Sequence, residues 1–364
     1  MRVALAGGGT GGHVLPLVSL AEAMKAGGGF AAPLFLGADG LEGRLLGDAG
    51  HRFVRLPVGR VRGVSRGRQV RGALGMAAAV PMAMAHLLQN DIQVVVGSGG
   101  YASAPAVVAA VLSRIPVVLL EQNTIPGSTN RALARMARVV CTSYGESSKW
   151  LPEGKVELTG NPVRRSILEI RERRSSMLAD GSLLNGDRPL RLLVLGGSQG
   201  AAFLNGTVAT LLGSLCREHG GLEVVHQCGT GRLGEVGGAY AGAGEARVVE
   251  YVERMDELLL WADLVVGRAG ATTLAELSVA GLPALLVPFP HATDNHQEFN
   301  ARHYERAGAA LVFVQAEFDS EAFSRTVLGL RDQRDRLAPM VTGSLASGIP
   351  DAAQRVMRVV EGLA

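Results

Sequence analysis

Short runs of apolar residues alternate along the chain with longer segments that have apolar residues at helical spacing. Most of these runs are apolar at nearly every position, which is typical of parallel strands covered by helices on both faces. Because strands alternate with helices, each half of the chain is predicted to form a doubly wound α/β sheet. The predicted strands are 2–6, 33–37, 93–97, 116–120 and 138–142 in the first half, and 191–195, 222–227, 246–250, 263–267 and 284–288 in the second.

The length of 364 residues favours two domains over a single core. The charged and polar stretch 171–189 lies between the two sets of strands and predicts a domain joint or an exposed segment beside one. The chain ends in a segment with apolar residues at helical spacing, and Asp351 is placed to cap that helix. Segment 72–88 is the longest uncharged helical stretch, but it is short for a membrane span, so we expect no transmembrane helix.

Composition narrows the class of protein further. Apolar residues make up 47% of the chain and aromatic residues only 4%, which favours an α/β protein built from small aliphatic residues. The three cysteines have no Cys-x-x-Cys spacing, so we expect buried thiols rather than disulfides or a zinc site. The first six residues form a strand that leads into a glycine-rich loop, so we expect no signal peptide.

Two glycine-rich loops occur in the same context, each after an apolar run and before a helical segment. Residues 7–13 read Gly-Gly-Gly-Thr-Gly-Gly-His, and residues 196–201 read Gly-Gly-Ser-Gln-Gly-Ala. Glycine lets backbone amides approach a ligand, and the start of the following helix favours an anion. Each loop is therefore a candidate phosphate site, to which Ser198 adds a hydroxyl, although a tight turn without a ligand would have the same sequence.

The first loop also allows a different function. It matches G-x-G-x-x-G, and Asp39 follows the next strand, near the place of a ribose-binding acid in dinucleotide-binding folds. A nicotinamide-dependent oxidoreductase is therefore an alternative. His13 lies at a helix start that disfavours its protonated form, so it is a candidate base, with a capping or surface histidine as the plainer interpretation.

Two segments of the second half carry polar groups suited to a nucleotide sugar. In residues 268–276, Glu276 lies four residues after Thr272 and so on the same helix face, where a carboxylate can hold two ribose hydroxyls. A capped helix with a solvated Glu276 is the alternative. The Pro-rich loop 288–300 carries amides and imidazoles that suit a hydroxyl-rich ligand such as a sugar. Its histidines and His303 are spaced by five and seven residues, so we expect no metal site.

Polar residues also follow strands of the first half. Residues 99–105 and 121–123 each come after an apolar run, and carboxyl ends of strands face the ligand crevice in open α/β sheets. Arg164 can pair with a diphosphate. The sequence has no Asp-x-Asp pair, so we expect helix N-termini, amides and an arginine, rather than a metal ion or a cofactor, to balance a diphosphate.

The net charge of +3 conceals an asymmetry, because residues 1–160 hold 16 Lys and Arg against 9 Asp and Glu, and the remainder holds 20 against 24. A group of arginines in the first half, the basic cluster, is followed by the apolar, Met-containing segment 72–84. This combination suits an anionic membrane surface, and a solvated loop before a buried helix is the alternative. We expect no nucleic-acid partner. The basic cluster consists of Arg60, Arg62, Arg66, Arg68 and Arg71.

Seven motifs, taken in order, resemble the MurG family of bacterial glycosyltransferases (family 28). They are GGGTGGHVLP, GGYASAP, EQN, GNPVR, GGSQGA, GRAGATTLAEL and PFPHATDNHQEFNA, between residue 1 and about residue 310. The resemblance implies the GT-B fold, in which two Rossmann-like domains face each other across a cleft. It implies an acceptor and membrane-facing domain at 1–163, a UDP-GlcNAc-binding domain at 164–345, and a C-terminal helix at about 346–364 that packs back on the first domain.

The resemblance also implies a reaction. GlcNAc would move with inversion from UDP-GlcNAc to the C4 hydroxyl of MurNAc in undecaprenyl-linked lipid I, giving lipid II for peptidoglycan synthesis. The enzyme would be peripheral, at the cytoplasmic face of the cell membrane. Other UDP-sugar enzymes, such as the 2-epimerases, share the two-domain architecture and remain an alternative, as does a non-catalytic sugar-nucleotide sensor.

The family's functional positions fall on matching residues here. Val252 would bind uracil through its backbone, Glu276 the ribose and Gln297 the GlcNAc hydroxyls. His13 is the candidate base, and the residues implied on the acceptor side are His13, Tyr101, Ser103 and Glu121. The residues implied for UDP-GlcNAc binding are Thr10, Gly11, Gly12, Asn123, Arg164, Ser198, Val252, Ala271, Thr272, Thr273, Leu274, Ala275, Glu276 and Gln297.

Overall fold

The computed structural model describes residues 1–9, 11–38, 46, 50–59, 66–197 and 200–363, with the backbone alone for 66–71, 73 and 74. The chain forms two compact units. Unit 1 consists of Met1–Arg165 and Ile349–Ala364, and unit 2 of Ser166–Gly348.

Unit 1 is built on a seven-stranded parallel sheet. The strand order is β3-β2-β1-β4-β5-β6-β7, so β1 pairs with both β2 and β4 and the direction of winding reverses beside it. In open α/β sheets the ligand crevice lies outside the carboxyl ends of the strands at this reversal. The strands are β1 Val3–Ala6, β2 Leu34–Gly37, β3 Arg52–Arg55, β4 Val94–Gly97, β5 Val117–Glu121, β6 Val139–Thr142 and β7 Val156–Leu158.

Helices cover both faces of this sheet. Successive residues of a strand point to opposite faces, so Val95 packs in one apolar cluster with Leu87 and Val107, while Val96 packs in another with Leu17 and Leu20. The described helices of the first part of unit 1 are α1 Gly11–Gly27, α2 Arg66–Gln89, α3 Ala104–Leu112 and α4 Ser128–Leu133.

Unit 2 repeats the plan with six parallel strands in the order β10-β9-β8-β11-β12-β13. The reversal falls between β8 and β11, which pair at Val194 and Val266. The strands are β8 Leu190–Leu195, β9 Leu222–Gln227, β10 Ala246–Val249, β11 Leu264–Gly267, β12 Ala284–Leu286 and β13 Ala310–Val312. The helices are α5 Arg165–Ala179, α6 Ala209–His219, α7 Leu233–Ala239, α8 Met255–Trp261, α9 Ala271–Ala280, α10 His296–Arg306, α11 Ser320–Asp332 and α12 Leu337–Ser347.

The last helix, α13 Ala352–Glu361, packs on α1 in unit 1. Val356 and Val360 are fully buried in the apolar cluster that α1 forms with the sheet. Asp351 lies at the N-cap position, but its carboxylate makes no capping bond to the helix amides and instead accepts a hydrogen bond from Arg355 Nε at 2.9 Å. The helix therefore docks by its apolar face, while Asp351 forms a side-chain pair on its first turn.

The ten predicted strands and the doubly wound character of both sheets are confirmed, with strand ends shifted by at most two residues. Three strands were missed, β3, β7 and β13, and all three lie at sheet edges. The stretch 171–189 begins just after the boundary between the units, and its first part is helical because α5 continues to Ala179. Arg174 of α5 is fully buried and donates to the carbonyl oxygens of Leu259 and Ala262 at 2.9 and 2.8 Å, which fastens the helix to the end of α8.

Segment 72–84 lies within α2, as the helical pattern predicts. Among the helices of the described ranges, none combines the length and the apolar character that a bilayer span requires. Of the basic cluster, Arg60 and Arg62 lie outside the described residues. The backbones of Arg66, Arg68 and Arg71 lie in the first turns of α2, and their side chains lie outside the described part.

Candidate substrate sites of the two units

The first glycine-rich loop turns sharply between β1 and α1. A Cβ on Gly7 would lie 2.2 Å from Ser98 Oγ, so no side chain fits there. Gly9 has a φ of +85°, which favours glycine. Gly11 and Gly12 form the start of α1, while Thr10 lies outside the described residues. The loop therefore brings backbone close to the carboxyl end of β4.

The side chain of His13 has a fixed tautomer. His13 Nδ1 lies 2.8 Å from the Ser98 carbonyl oxygen, and Ser98 Oγ donates to the His13 carbonyl oxygen at 2.7 Å. Because a carbonyl only accepts, Nδ1 carries the proton, and in the neutral ring Nε2 holds the lone pair. The half-buried imidazole can thus accept a proton at Nε2.

Gly100 lies beside this histidine, and Tyr101 lies beside the first glycine-rich loop. A Cβ on Gly100 would lie 3.0 Å from His13 Cδ2, and the ring of Tyr101 lies against Gly9. Ser103 is fully buried, and its Oγ donates to the Gly100 carbonyl oxygen at 3.1 Å. Tyr101 therefore contacts the first glycine-rich loop directly, whereas Ser103 shapes the turn from beneath.

Glu121, at the end of β5, organises the loop that follows it. Oε1 accepts from the Asn123 backbone N at 2.9 Å and from Asn123 Nδ2 at 3.3 Å. Oε2 accepts from Gly127 N at 3.0 Å and from Asn130 Nδ2 at 2.9 Å. Glu121 is 2% exposed. Glu121 thus holds both the backbone amide and the side-chain amide of Asn123, and Ser147 Oγ donates to the Asn123 carbonyl oxygen at 2.9 Å.

The second glycine-rich loop follows β8 in unit 2. Gly197 and Gly200 have φ values of +78° and +69°, and a Cβ on Gly200 would lie 2.0 Å from the Cys228 carbonyl oxygen. The loop is thus pressed against the end of β9, where Gln227 Nε2 donates to the Gly197 carbonyl oxygen at 2.9 Å. Ser198 lies outside the described residues.

Helix α9 presents its N-terminus directly after β11. Gly270 precedes it in an extended conformation (φ −68°, ψ 133°) and has no side chain to occupy the first amides. Such a helix start attracts an anion. Thr272 and Glu276 share one face of the helix, and Glu276 is buried. On this first turn and a half of helix, Thr272, Thr273 and Ala275 are partly exposed, whereas Ala271 and Leu274 are buried.

Arg268 is a functional candidate that the sequence motif contained but to which no role was assigned. Its guanidinium donates to the carbonyl oxygens of Val287 and Pro288 at 2.9 and 3.0 Å, and lies 5.5 Å from the centroid of the Phe289 ring. Burial lowers the pKa of Arg268 to about 10, so the side chain stays cationic at neutral pH. The sequence signal that could have identified Arg268 is an arginine directly after an apolar strand.

Gln297 contacts the loop that follows β12, which Arg268 also contacts. Its Oε1 accepts from Phe289 N at 3.0 Å, so its amide NH2 is the group it offers as a donor. His296 Nδ1 donates to the Thr293 carbonyl oxygen at 2.7 Å, which directs it into its own turn. In the described ranges, no group of three or more His, Cys, Asp or Glu side chains is arranged to hold a metal ion.

The structure thus gathers His13, Tyr101 and Asn123 at the carboxyl edge of the unit 1 sheet, and residues 271–276 and Gln297 at that of unit 2. Val252 follows β10 and is half-buried. Arg164 lies just before α5, also half-buried. Two parallel-sheet units, each with a glycine-rich turn at the point where the winding reverses, are the architecture of GT-B glycosyltransferases.

Comparison with known proteins narrows this class. A model of the glycosyltransferase family 28 N-terminal domain matches residues 3–142, and a model of the family 28 C-terminal domain matches residues 191–356. The chain belongs to glycosyltransferase family 28, and it is a glycosyltransferase.

Curated relatives cover nearly the full chain. One from Geobacter sulfurreducens is 38% identical over 359 residues, 98% of this chain and 97% of the relative. One from Myxococcus xanthus is 40% identical over 365 residues, 99% of this chain and 92% of the relative. Both are named UDP-N-acetylglucosamine–N-acetylmuramyl-(pentapeptide) pyrophosphoryl-undecaprenol N-acetylglucosamine transferase.

Solved structures agree with the fold. The crystal structure of Acinetobacter baumannii MurG superposes with a TM-score of 0.77 at 29% identity and covers 99% of each chain. The UDP-GlcNAc 2-epimerase from Neisseria meningitidis has a TM-score of 0.71, but at 12% identity this likeness shows the fold alone.

Proposed function

We propose that this enzyme transfers GlcNAc from UDP-GlcNAc to the C4 hydroxyl of MurNAc in undecaprenyl-linked lipid I, forming a β-1,4 bond and lipid II. The observation that carries the proposal is identity of 38 to 40% over nearly the whole chain to relatives named for this transfer. Unit 2 would bind most of the donor, and unit 1 the acceptor.

In unit 2, each part of the donor has a chemically suited partner. The α9 N-terminus at residues 271–275 and the loop containing Ser198 would bind the diphosphate through amides and hydroxyls. The buried carboxylate of Glu276 would accept from both ribose hydroxyls. Val252 would bind uracil through its backbone, and the amide NH2 of Gln297 would donate to a GlcNAc hydroxyl.

Unit 1 would supply the remaining donor contacts, through Thr10, Gly11, Gly12, Asn123 and Arg164. The position of Asn123 beside Glu121 supports this, because two hydrogen bonds to one carboxylate oxygen hold its backbone and amide in place. Arg164 would balance charge on the departing UDP together with the helix N-termini.

His13 would act as the base. As the bond between C1 of GlcNAc and UDP breaks, His13 Nε2 would remove the proton of the acceptor C4 hydroxyl, which attacks C1 from the opposite side and inverts it. Donation from Nδ1 to the Ser98 carbonyl supports this role, since it leaves the lone pair on Nε2. Tyr101 would line the acceptor side, with Ser103 and Glu121 shaping the loops beneath it.

Two other functions predict different ligands. A nicotinamide-dependent oxidoreductase would use the G-x-G-x-x-G loop for NAD, with Asp39, which lies outside the described residues, on the ribose. A 2-epimerase would convert UDP-GlcNAc without any acceptor. Thermal denaturation with UDP or NAD distinguishes the proposed transferase from the oxidoreductase. We expect stabilisation by UDP, and stabilisation by NAD alone would overturn the proposal.

We further propose that the enzyme docks on an anionic membrane surface at the cytoplasmic face of the cell membrane, because its acceptor carries an undecaprenyl chain. The basic cluster and segment 72–84 would make the contact. The exposed apolar side chain of Met82, within segment 72–84, supports this assignment.

A further inference from the structure

A chain of three buried side chains lies beneath the second glycine-rich loop. Tyr240 follows α7, His226 lies on β9, and Asn205 lies in the π-helical turn Leu204–Val208 that follows the loop. His226 Nδ1 is 2.9 Å from Tyr240 Oη, and His226 Nε2 is 3.2 Å from Asn205 Oδ1. All three residues are at most 6% exposed. None of them is among the residues assigned to substrate above.

The direction of every bond in this chain is fixed. Asn205 Nδ2 donates to the Cys228 carbonyl oxygen at 2.8 Å, so its Oδ1 faces His226 and must accept. His226 therefore carries its proton on Nε2, and Nδ1 accepts from the Tyr240 hydroxyl. Burial lowers the pKa of His226 to about 4 and raises that of Tyr240, so neither group changes its proton at neutral pH.

The chain ends at the carbonyl against which the loop is packed. The Cys228 carbonyl oxygen that Asn205 holds is the atom that a Cβ on Gly200 would approach to 2.0 Å. Next to it, Gln227 Nε2 donates to the Gly197 carbonyl oxygen. The turn that carries Asn205 is joined to the loop as well, because Asn205 N donates to the Ala201 carbonyl oxygen at 2.9 Å.

We propose that His226 is a positioning residue that holds the second glycine-rich loop in its phosphate-binding conformation through Asn205 and the Cys228 carbonyl. It touches no substrate. Since Asn205 and the Cys228 carbonyl link its imidazole to the diphosphate loop, its loss weakens binding of the diphosphate much more than binding of the nucleoside. This inference rests on the proposed function, in which that loop binds the diphosphate of UDP.

The test compares the dissociation constants of UDP and uridine, measured by calorimetry, for the wild type and three variants. His226→Leu removes both hydrogen bonds of the imidazole. His226→Gln keeps a donor within reach of Asn205 Oδ1, and Tyr240→Phe deletes a single hydroxyl. Tyr304→Phe is the matched control, because it removes another buried hydroxyl of unit 2, one that donates to the Leu282 carbonyl oxygen at 2.9 Å.

We expect His226→Leu to raise the dissociation constant of UDP about tenfold and that of uridine less than about twofold. Tyr240→Phe should raise the UDP value about threefold, and His226→Gln should recover most of the affinity that His226→Leu loses. The control should leave both values unchanged. If His226→Leu does not fold, Tyr240→Phe decides the matter, since it changes only one hydroxyl.

An unchanged UDP affinity in Tyr240→Phe and folded His226→Leu would overturn the assignment. Equal losses for UDP and uridine would also overturn it, because they would indicate a general loosening of unit 2. A wild-type enzyme that does not bind UDP at all would contradict the proposed function itself, so the two failures are distinguishable.

Discussion

His13 and Ser98 are joined by two hydrogen bonds that run in opposite directions, from His13 Nδ1 to the Ser98 carbonyl oxygen and from Ser98 Oγ to the His13 carbonyl oxygen. The pair links the start of α1 to the end of β4 at the reversal point of the unit 1 sheet. It also determines which ring nitrogen of His13 can take a proton. The role of this histidine can therefore be tested through its proton.

Replacing His13 with alanine should lower kcat by about 100-fold, the lower range for loss of a general base, with little change in the KM for UDP-GlcNAc. The acid-side fall in the pH–rate profile should disappear as well, because it reports protonation of the base. Steady-state kinetics across pH measure both effects. A variant with the rate and the profile of the wild type would show that His13 is not the base.

Gly100→Ala should reduce kcat and stability together. Gly100 has a φ of +72°, and its new methyl group would lie 3.0 Å from His13 Cδ2 and 3.1 Å from the Gly8 carbonyl oxygen. Gly154→Ala is the matched control, because Gly154 has a φ of +73° and nothing lies within 4 Å of its Cβ position.

Both variants should lose about 1 kcal/mol of stability through backbone strain. Only Gly100→Ala should also lose activity, as measured by kcat beside a thermal melt. Equal activities of the two variants would mean that the packing of Gly100 on His13 has no bearing on catalysis.

Glu276→Ala should weaken donor binding through the ribose. We expect about a tenfold rise in the dissociation constant of UDP, in line with the loss of hydrogen bonds to a charged group. The same substitution should have a smaller effect on 2′-deoxy-UDP, because one of the two hydroxyls is already missing. Titration of UDP and 2′-deoxy-UDP against the wild type and Glu276→Ala gives the coupling energy between the carboxylate and the 2′-hydroxyl. An effect of equal size on the two nucleotides would place Glu276 away from the 2′-hydroxyl.

Unit 2 should lose stability as the pH falls from 6.5 towards 4. The pKa of His226 is about 4 in the folded protein and 6.5 in an ordinary environment. Between pH 6.5 and pH 4 the unfolded chain therefore binds a proton that the folded chain does not bind. By linkage, the free energy of unfolding decreases by up to about 3 kcal/mol between pH 6.5 and pH 4, with no such change above pH 6.5.

His226→Gln should flatten this dependence, because glutamine does not titrate. Of the two tryptophans in the chain, Trp261 lies in unit 2, so its fluorescence in a Trp150→Phe background reports urea unfolding of that unit. Parallel pH curves for the histidine and glutamine proteins would exclude a neutral, buried His226.

Membrane docking should depend on the basic cluster. Arg66→Glu with Arg68→Glu should lower binding to anionic vesicles at least tenfold at low salt, since each arginine near such a surface contributes about 1 kcal/mol. Arg247→Glu with Arg325→Glu applies the same charge change to exposed positions of unit 2. Cosedimentation at low and high salt measures the difference. Undiminished binding by the Arg66 and Arg68 variant would refute the docking proposal.

The central strands and the edge strand β3 differ in how far the sequence determines them. Residues 94–97 and 264–267 are apolar throughout because both faces are covered, so their pattern is unambiguous. Strand β3, Arg52–Arg55, has exposed arginines at both ends because it pairs on one side only. Its residues carry no continuous apolar run, and the pairing that makes it a strand comes from β2.

The residues of the candidate site also differ in how far the sequence predicts them. Loops 7–13 and 196–201 are visible in the sequence, because sharp turns at strand ends require glycine. The chain from Tyr240 through His226 to Asn205 joins positions 35 residues apart, and only the packing of α7 and the π-helical turn on β9 brings them into contact. Arg268 was visible as a residue, but its partners at 287–289 follow from the pairing of β11 with β12.

Incubation of the purified enzyme with UDP-GlcNAc and a lipid I analogue tests the central claim most directly. We predict one UDP released for each β-1,4-linked GlcNAc–MurNAc product, with no turnover of UDP-GlcNAc when the acceptor is omitted. Formation of UDP-ManNAc, or of ManNAc and UDP, without acceptor would instead indicate a 2-epimerase. Binding of UDP-GlcNAc with no transfer to lipid I would contradict the account.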